Sequence, residues 1–242
     1  GTLTGVQYGL LGGAANTNLT GLNIGGLGVG AGKNVTGVNL GGLGMGAGGD
    51  VTGINFGGIG IGAGGNLTGI NFGGIGAGAG GNVSGLNFAA IGLGAGGDVS
   101  GVSVAGLGAG AGGKMAGINV AGLAVGAKRL VGLSAAGLAA GAEEITGWTA
   151  AGLAVGAKTI RGVAYAGAVV EAKELKGAFY AGGTVHVPLG GSLTGYAQSA
   201  FNYIRGPVRG CTIGIVNYAH SVKGLQIGVV NIVRDNPKGL KI

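Results

Sequence analysis

The sequence predicts an all-β fold, a single elongated β-solenoid with coils of fifteen to sixteen residues, from three observations. One glycine recurs at every sixteenth position and then at every fifteenth along most of the chain. Within each repeat, large apolar residues follow one another at spacings of two, the periodicity of a β-strand. Glycine also stands at every second or third position, where a helix would lose about 1 kcal/mol per glycine relative to alanine. A fixed period of this length is typical of stacked repeats.

The periodic glycine marks sixteen copies of one unit, in three zones. Residues 1–113 hold nearly identical Gly-rich units of sixteen residues, residues 114–177 hold Ala-richer units of fifteen, and residues 178–242 hold an irregular stretch and C-terminal coils. No linker separates the zones, so one domain over 1–242 is predicted, with a loop or extended hairpin at 182–191. The periodic glycines are Gly5, Gly21, Gly37, Gly53, Gly69, Gly85, Gly101, Gly117, Gly132, Gly147, Gly162, Gly177, Gly195, Gly210, Gly224 and Gly239.

The unit at residues 34–49 shows how a coil is expected to fold. Steps of three positions across Thr36-Gly37 and Gly41-Gly42 interrupt the strand spacing, so bends are predicted there. These bends would keep every apolar side chain inward. The Asn or Asp that opens the units from residue 18 to residue 98 is a residue that tolerates left-handed backbone in a turn. The side chains predicted to face the interior are Val35, Val38, Leu40, Leu43, Met45 and Ala47.

A 16-stranded outer-membrane β-barrel is the alternative fold, because each unit could supply one strand and sixteen is a permitted even number. Barrel strands keep one side-chain parity for about 9–11 residues, and aromatic girdles flank their apolar band. Here the parity changes within each unit, and Phe56, Phe72 and Phe88 share one slot of the repeat. The solenoid is therefore the preferred prediction.

Composition and motifs argue against several classes of protein. Hydrophobic residues make up 46% of the chain and charged residues 9%, the reverse of a disordered sequence. The pattern Gly44-x-Gly46-x-x-Gly49 matches a dinucleotide fingerprint, but it recurs in neighbouring units and no helix follows it. There are no paired carboxylates, no triad spacing and no Cys/His cluster. The sequence thus predicts a non-enzymatic protein without catalytic residues, cofactor or metal ligands.

Four sets of residues are candidate interaction faces. A hydroxyl stands before the periodic glycine, and an amide recurs two residues after it and is expected to bond along the stack. A strip of glycines without side chains would let another flat sheet approach closely. The hydroxyl set contains Thr20, Thr36, Thr52 and Thr68, the amide set Asn39, Asn55 and Asn71, and the glycine set Gly42, Gly44, Gly46, Gly58, Gly60, Gly62, Gly74 and Gly76.

The fourth set is basic. Residues 1–113 carry only Lys33, Asp50 and Asp98, a net charge of −1, whereas the rest of the chain has a net charge of +8. In that part the slot before the periodic glycine holds Arg161, Lys176, Arg209, Lys223 and Lys238, without acids in register. An anionic envelope polymer is the partner that this stripe suggests. Nucleic acid is disfavoured, because aromatic residues do not interleave with the stripe.

Charges elsewhere in this half are expected to pair between coils. In the register of the fifteen-residue units, Glu143 stands between Lys128 and Lys158, with Lys173 one coil further on. Opposite charges one coil apart are cross-strand neighbours. These residues therefore predict a structural ladder of ion pairs.

The C-terminal repeats resemble those of a known family. The segments 209–218 and 223–232 read RGCTIGIVNY and KGLQIGVVNI, which are similar to the GLQIGLVNI repeats of bacterial surface-repeat proteins of the kind named from spirochaetes. The earlier Thr-Gly-φ-Asn-φ-Gly-Gly-φ units are a looser match. The resemblance implies a location in the bacterial cell envelope, surface-exposed or in the outer membrane, and supplies no activity or functional residue.

Together these observations predict a structural or interaction protein of the bacterial cell surface. It would associate with itself or with another envelope protein through its flat glycine or Thr/Asn faces. The alternatives are the outer-membrane barrel and an ice- or glycan-binding solenoid, since flat hydroxyl ladders can bind either ligand.

Overall fold

The computed structural model describes residues 1–235. Over these residues the chain forms 23 β-strands and no helix, so the predicted all-β class is confirmed. The described residues divide into two compact units, residues 1–128 and residues 129–235. Lys238 and Gly239, the last members of the predicted basic and glycine series, lie outside the described residues.

The first unit is a β-solenoid, as predicted. Every strand pairs in parallel with its equivalent in the next repeat, so that Val35 lies between Leu19 and Val51 of the neighbouring coils. Most coils contain one longer and one shorter strand joined by a corner such as Gly42-Leu43. The strands are β1 (Leu3–Gly9), β2 (Gly12–Ala15), β3 (Asn18–Gly25), β4 (Gly28–Ala31), β5 (Asn34–Gly41), β6 (Gly44–Ala47), β7 (Val51–Gly57), β8 (Gly60–Ala63), β9 (Leu67–Gly73), β10 (Gly76–Ala79), β11 (Val83–Ala89), β12 (Gly92–Ala95), β13 (Val99–Ala105) and β14 (Gly108–Ala121). One further strand, β15 (Ala124–Ala136), begins in this unit.

The second unit is also a parallel β-solenoid, and most of its strands pair at an offset of fifteen positions. Such a coil is one residue shorter at the corner that holds a Gly-Gly pair in the first unit. Pairing continues through this position, and the two strands of a coil merge into one strand of 13 residues. The strands are β16 (Ala139–Ala151), β17 (Ala154–Ala166), β18 (Val169–Ala181), β19 (Thr184–Val187), β20 (Ser192–Gln198), β21 (Phe201–Ile213), β22 (Val216–Ile227) and β23 (Val230–Val233).

Parallel pairing decides between the two predicted folds. A transmembrane barrel places consecutive strands antiparallel to each other. In both units each strand instead lies parallel to its equivalent in the adjacent coil. The barrel alternative is therefore wrong.

The stretch at 182–191 is more regular than predicted. β19 (Thr184–Val187) pairs in parallel with β18 and β21, in the place of the shorter strand of a coil. Only the turn around Leu189 and Gly190 departs from the repeat, and it lengthens the register step, so that Leu175 pairs with Leu193 eighteen positions later. The predicted loop or hairpin is thus a short insertion at one corner.

The interior of the first unit holds part of the predicted apolar set. In the coil at 34–49, Val35 is 0% and Met45 6% exposed, and Ala47 is half-buried, as predicted. The slot of Val35 is fully buried in consecutive coils and forms a continuous apolar column. Its members in this unit are Leu19, Val35, Val51, Leu67, Val83, Val99 and Met115.

The prediction that Val38, Leu40 and Leu43 face the interior is wrong. Their exposed fractions are 38%, 37% and 50%. Side-chain alternation continues unbroken from Val35 along β5, so Asn39 has the inward parity and its two apolar neighbours point outward. Strand β5 continues through Gly37 without a change of this parity.

The asparagines at this position form a hydrogen-bonded ladder inside the first unit. Asn39 Nδ2 donates to Asn55 Oδ1 at 2.8 Å, and Asn55 Nδ2 donates to Asn71 Oδ1 at 2.8 Å. Asn23 and Asn87 extend the ladder at its two ends. Bonding along the stack is confirmed, but a surface role for Asn39, Asn55 and Asn71 is wrong, because they are at most 1% exposed. A buried amide is tolerated here because the coils on either side satisfy its donor and acceptor.

The periodic glycine is required by the backbone. Gly37 and Gly53 have φ of +117° and +120°, a region that side chains with a Cβ rarely adopt. A Cβ at Gly53 would also collide with the carbonyl oxygen of Gly37 one coil earlier. The prediction that this slot needs glycine is therefore confirmed, and stacking explains why the glycine recurs with the period of the coil. The predicted bend that swaps side-chain parity here is wrong, because β5 runs through Gly37 with its alternation unbroken.

Candidate interaction faces

Three sets of outward residues run along the first unit, each in register from coil to coil. The polar face consists of Thr20, Thr36, Thr52, Thr68, Ser84 and Ser100 with Asn34, Asp50, Asn66, Asn82 and Asp98. The apolar face consists of Leu22, Ile24, Val38, Leu40, Ile54, Phe56, Ile70, Phe72, Leu86, Phe88, Val102 and Val104. The glycine face consists of Gly28, Gly30, Gly44, Gly46, Gly60, Gly62, Gly76, Gly78, Gly92 and Gly94.

The polar face is exposed, and an open trough of about 400 Å³ lies along it between Asp50 and Lys114. Its Asn/Asp column bonds to the backbone: Asn34 Oδ1 accepts the N–H of Asp50 at 2.9 Å, and Asp50 Oδ1 accepts the N–H of Asn66 at 2.7 Å. No residue other than glycine has positive φ in the described chain, so the predicted left-handed turns at Asn and Asp are wrong. Their side chains instead join one coil to the next.

The hydroxyl column lies outward, as predicted for Thr20, Thr36, Thr52 and Thr68. One hydrogen bond links two coils of this column, from Ser84 Oγ to Thr68 Oγ1 at 3.1 Å. The hydroxyls therefore remain accessible to solvent along one edge of the trough.

The apolar face is the feature that sequence reasoning missed. Ile54 is 51%, Phe56 41%, Ile70 44% and Phe72 47% exposed. The rings of Phe56 and Phe72 are stacked, with centroids 5.4 Å apart. All side chains of this face are uncharged.

A corner column continues the apolar surface along the chain. It comprises Leu27, Leu43, Ile59, Ile75, Ile91 and Leu107, which are 46–52% exposed. Each of these residues follows the apolar-face pair of its own coil by three positions. Both outward apolar sets therefore recur in every coil.

The repeat itself contains a signal for this arrangement. The exposed slot of Asn34 accepts Asp in other coils, namely Asp50 and Asp98. The buried slot of Asn39 is never charged in the first unit, where it holds only Asn and Ser after the first coil. Burial of an unpaired charge is costly, so a repeat position that never holds a charged residue is expected to be buried. The position that accepts Asp is expected to be exposed.

At several positions of the glycine face the fold does not require glycine, whereas a Cβ at Gly28 or Gly46 would lie 3.1 or 3.3 Å from a backbone oxygen of the next coil. A Cβ at Gly62 or Gly92 would meet nothing within 4 Å, and a Cβ at Gly76 would come no closer than 3.6 Å to Gly92 O. These residues also lack positive φ. Glycine in a strand interior weakens the strand, because it leaves more conformational freedom to the unfolded chain.

The predicted glycine set contains two kinds of position. Gly44, Gly46, Gly60, Gly62 and Gly76 are on the outward side of short strands, as predicted. The remaining members, Gly42, Gly58 and Gly74, lie at corners, where a Cβ would collide with a carbonyl oxygen of the preceding coil. These corner glycines are explained by stacking alone.

In the second unit, Arg161, Lys176, Arg209 and Lys223 form an exposed column in register, interrupted by Thr194. One acid approaches it: Glu174 Oε2 lies 3.5 Å from Lys176 Nζ. Glu174 lies two positions before Lys176 on the same strand, and no described residue in register with the column is acidic, as predicted. Between residues 129 and 235, no ion pair involves the other three cations of the column.

Two further pairs of side chains lie one coil apart in this unit. Lys158 Nζ lies 3.4 Å from Glu143 Oε2, which confirms the predicted ladder at this step. His186 Nδ1 lies 3.4 Å from Glu171 Oε1, and its ring stacks on Tyr203. Both contacts join neighbouring coils across parallel strands.

Partial burial raises the pKa of the Tyr196 phenol, and nearby Tyr180 and Cys211 raise that pKa further. The phenol is therefore neutral at neutral pH. No cluster of three or more His, Cys, Asp or Glu side chains suited to a metal ion occurs within residues 1–235. Over the same range, no helix has the length and apolar character to cross a membrane.

Comparison with protein-family models, curated proteins and solved structures gives no match.

Proposed function

We propose that this chain is a non-enzymatic structural or interaction protein of the bacterial cell surface, and that it acts by packing a flat outward face against another surface. The apolar face is the observation that carries this proposal. Three-residue patterns such as Ile54-Asn55-Phe56 place a polar amide inside and two large apolar side chains outside. An arrangement of this kind, repeated over consecutive coils, is favourable only if another surface covers the outward side chains.

The exposed apolar area supports the proposal. Seven side chains of the apolar face and six of the corner column are 37–52% exposed. If a large apolar side chain has about 150 Å² of surface, these thirteen present on the order of 900 Å². The largest apolar patch of a typical monomer covers only about 300–600 Å² and is often functional.

The envelope location rests on the C-terminal repeats, which resemble those of bacterial surface-repeat proteins. A structural role requires only that the flat faces pack against another surface, without any chemical reaction. Accordingly, we propose no catalytic residue, cofactor or metal for this chain.

A double lysine substitution on the apolar face tests the proposal. Ile54→Lys with Ile70→Lys should abolish association of the purified chain with itself and with isolated envelope fragments, because two ammonium groups cannot be desolvated cheaply. Thr52→Lys with Thr68→Lys is the matched control, because it adds the same charge to the same coils on the polar face. Sedimentation velocity, with and without envelope fragments, measures both forms of association. Equal association of the two variants would contradict a role for the apolar face.

The basic column favours a second interaction, with an anionic polymer of the envelope. Three exposed cations without ion pairs recur on one line of the second unit, within the residues that the structure describes. Lipopolysaccharide should therefore bind this unit, and the affinity should fall about tenfold or more between about 0.05 M and 0.3 M salt because exposed charges are screened.

Arg161→Gln with Arg209→Gln should reproduce this loss at low salt. Arg205→Gln with Arg234→Gln, which removes equal charge outside the column, is the control. Titration by isothermal calorimetry measures the affinity. An affinity that does not change with salt concentration would rule out the column as the site. An equal loss of affinity in both double variants would do the same.

A further inference from the structure

We propose that the apolar face of the first unit is an isologous interface between two copies of this chain. The inference rests on the proposed function, in which another surface packs against a flat face. It identifies that surface as the same face of a second copy of the chain. The two copies would present the same columns to each other about a two-fold axis, so that the contact closes after two chains.

The combined area of the apolar face and the corner column suits a stable dimer. A standard interface buries about 800 Å² on each partner. The apolar face alone presents roughly 450 Å² of exposed apolar surface, and with the corner column the total is on the order of 900 Å². An interface that covers both sets therefore reaches that size without any contribution from polar residues. Interfaces of permanent homodimers are also more apolar than other interfaces.

Charge favours a second copy over a lipid surface. The outward side chains of the face carry no charge, so two copies meet without repulsion. Interfacial membrane binding relies on Lys and Arg around an apolar surface, with Trp or Tyr at its rim. Residues 1–113 hold only one basic residue, Lys33. Tyr8 continues the column of Ile24 into the first coil, and the other aromatic rings of these columns are Phe.

The geometry of the columns allows the two faces to interdigitate. Residues such as Ile70 and Phe72 are two positions apart on β9 and form parallel columns about 7 Å apart, with about 4.8 Å between coils along each column. The groove between two such columns is wide enough for one column of the facing copy. Identical spacing on both copies keeps every coil in step, as in the dry interfaces between paired sheets.

Cysteine cross-linking locates the interface. In a Cys211→Ser background, Phe72→Cys lies near the middle of the face, close to where a two-fold axis brings equivalent residues together. A short bismaleimide linker should convert most of this variant to covalent dimer. Two control variants, Thr68→Cys on the polar face and Gly62→Cys on the glycine face, should remain almost entirely uncoupled.

Sedimentation equilibrium of the unmodified chain supplies a readout that needs no variant. A dimer at micromolar concentration is expected, and Ile54→Lys with Ile70→Lys should shift it to monomer by at least a hundredfold in dissociation constant. Circular dichroism of each variant checks that the β-structure is retained.

Three results would overturn the inference. A monomer at all concentrations would do so, as would binding to phosphatidylcholine vesicles by a chain that stays monomeric. Cross-linking through Gly62→Cys in place of Phe72→Cys would move the contact to the glycine face. The last two outcomes leave the proposed packing of a flat face intact. Failure of the chain to bind either itself or envelope fragments would instead remove the proposed function.

Discussion

Gly53→Ala is expected to lower the free energy of unfolding of the first unit by about 3 kcal/mol or more, although it adds a single methyl group. Gly53 has φ of +120°, a conformation that is costly for any residue with a Cβ. The added Cβ would also collide with the Gly37 carbonyl oxygen, which belongs to rigid backbone and cannot rotate away. Relief requires movement of a neighbouring coil, which weakens the hydrogen bonds on both sides.

Gly62→Ala provides the matched control for this prediction. It is the same chemical change nine positions along the same unit, but its Cβ meets nothing within 4 Å. We expect it to raise stability by about 0.5–1 kcal/mol, because alanine restricts the unfolded chain more than glycine. Urea unfolding monitored by circular dichroism measures both changes. Similar effects of the two substitutions would show that stacking does not constrain the periodic glycine.

Asn55→Ala is expected to destabilise the first unit by about 2–4 kcal/mol. Asn55 donates to Asn71 and accepts from Asn39, and all three are buried. Removal of the middle amide leaves one buried donor and one buried acceptor without partners, at roughly 1–3 kcal/mol each. Asn16→Ala, which removes an exposed amide from the same unit, should change stability by less than about 0.5 kcal/mol. Urea unfolding is again the measurement.

Asn55→Asp adds a pH-dependent test of the same ladder. A buried carboxylate cannot donate to Asn71, whereas the protonated acid can, so burial should raise its pKa above the unfolded value of about 3.9. Stability should then be close to that of the parent chain below this unfolded pKa. It should decline as the pH rises toward the higher folded pKa. A stability curve without this pH dependence, relative to the parent chain, would mean that residue 55 is solvated.

The parallel stack was predictable because two features of the sequence agree. The period of the glycines sets the register of the coils, and the spacing of two within Val38/Leu40 indicates strands. Val35 and Met45 were placed inside correctly because they are apolar and no polar residue competes for their slots.

The location of the apolar face could not be derived from hydrophobicity. Asn39 is polar and buried, whereas Val38 and Leu40 are apolar and outward, because bonds between equivalent amides compensate the desolvation of the ladder. That compensation exists only when the coils are stacked in register, so a single unit gives no sign of it. The glycine face was placed on the outside correctly, but the difference between Gly58 at a corner and Gly60 on a strand depends on atoms of the adjacent coil.

The constant register of the first unit also bears on how such a chain can change length over generations. Every strand partner there lies one whole repeat away, so loss of residues 51–66 would place Leu67 after Asp50 and leave all pairings equivalent. Unequal recombination between near-identical gene segments would therefore add or remove whole coils, and the remaining coils would keep their strand pairing. Each additional coil would carry another pair of outward apolar side chains. Changes in copy number would in this way alter the exposed apolar area in discrete steps.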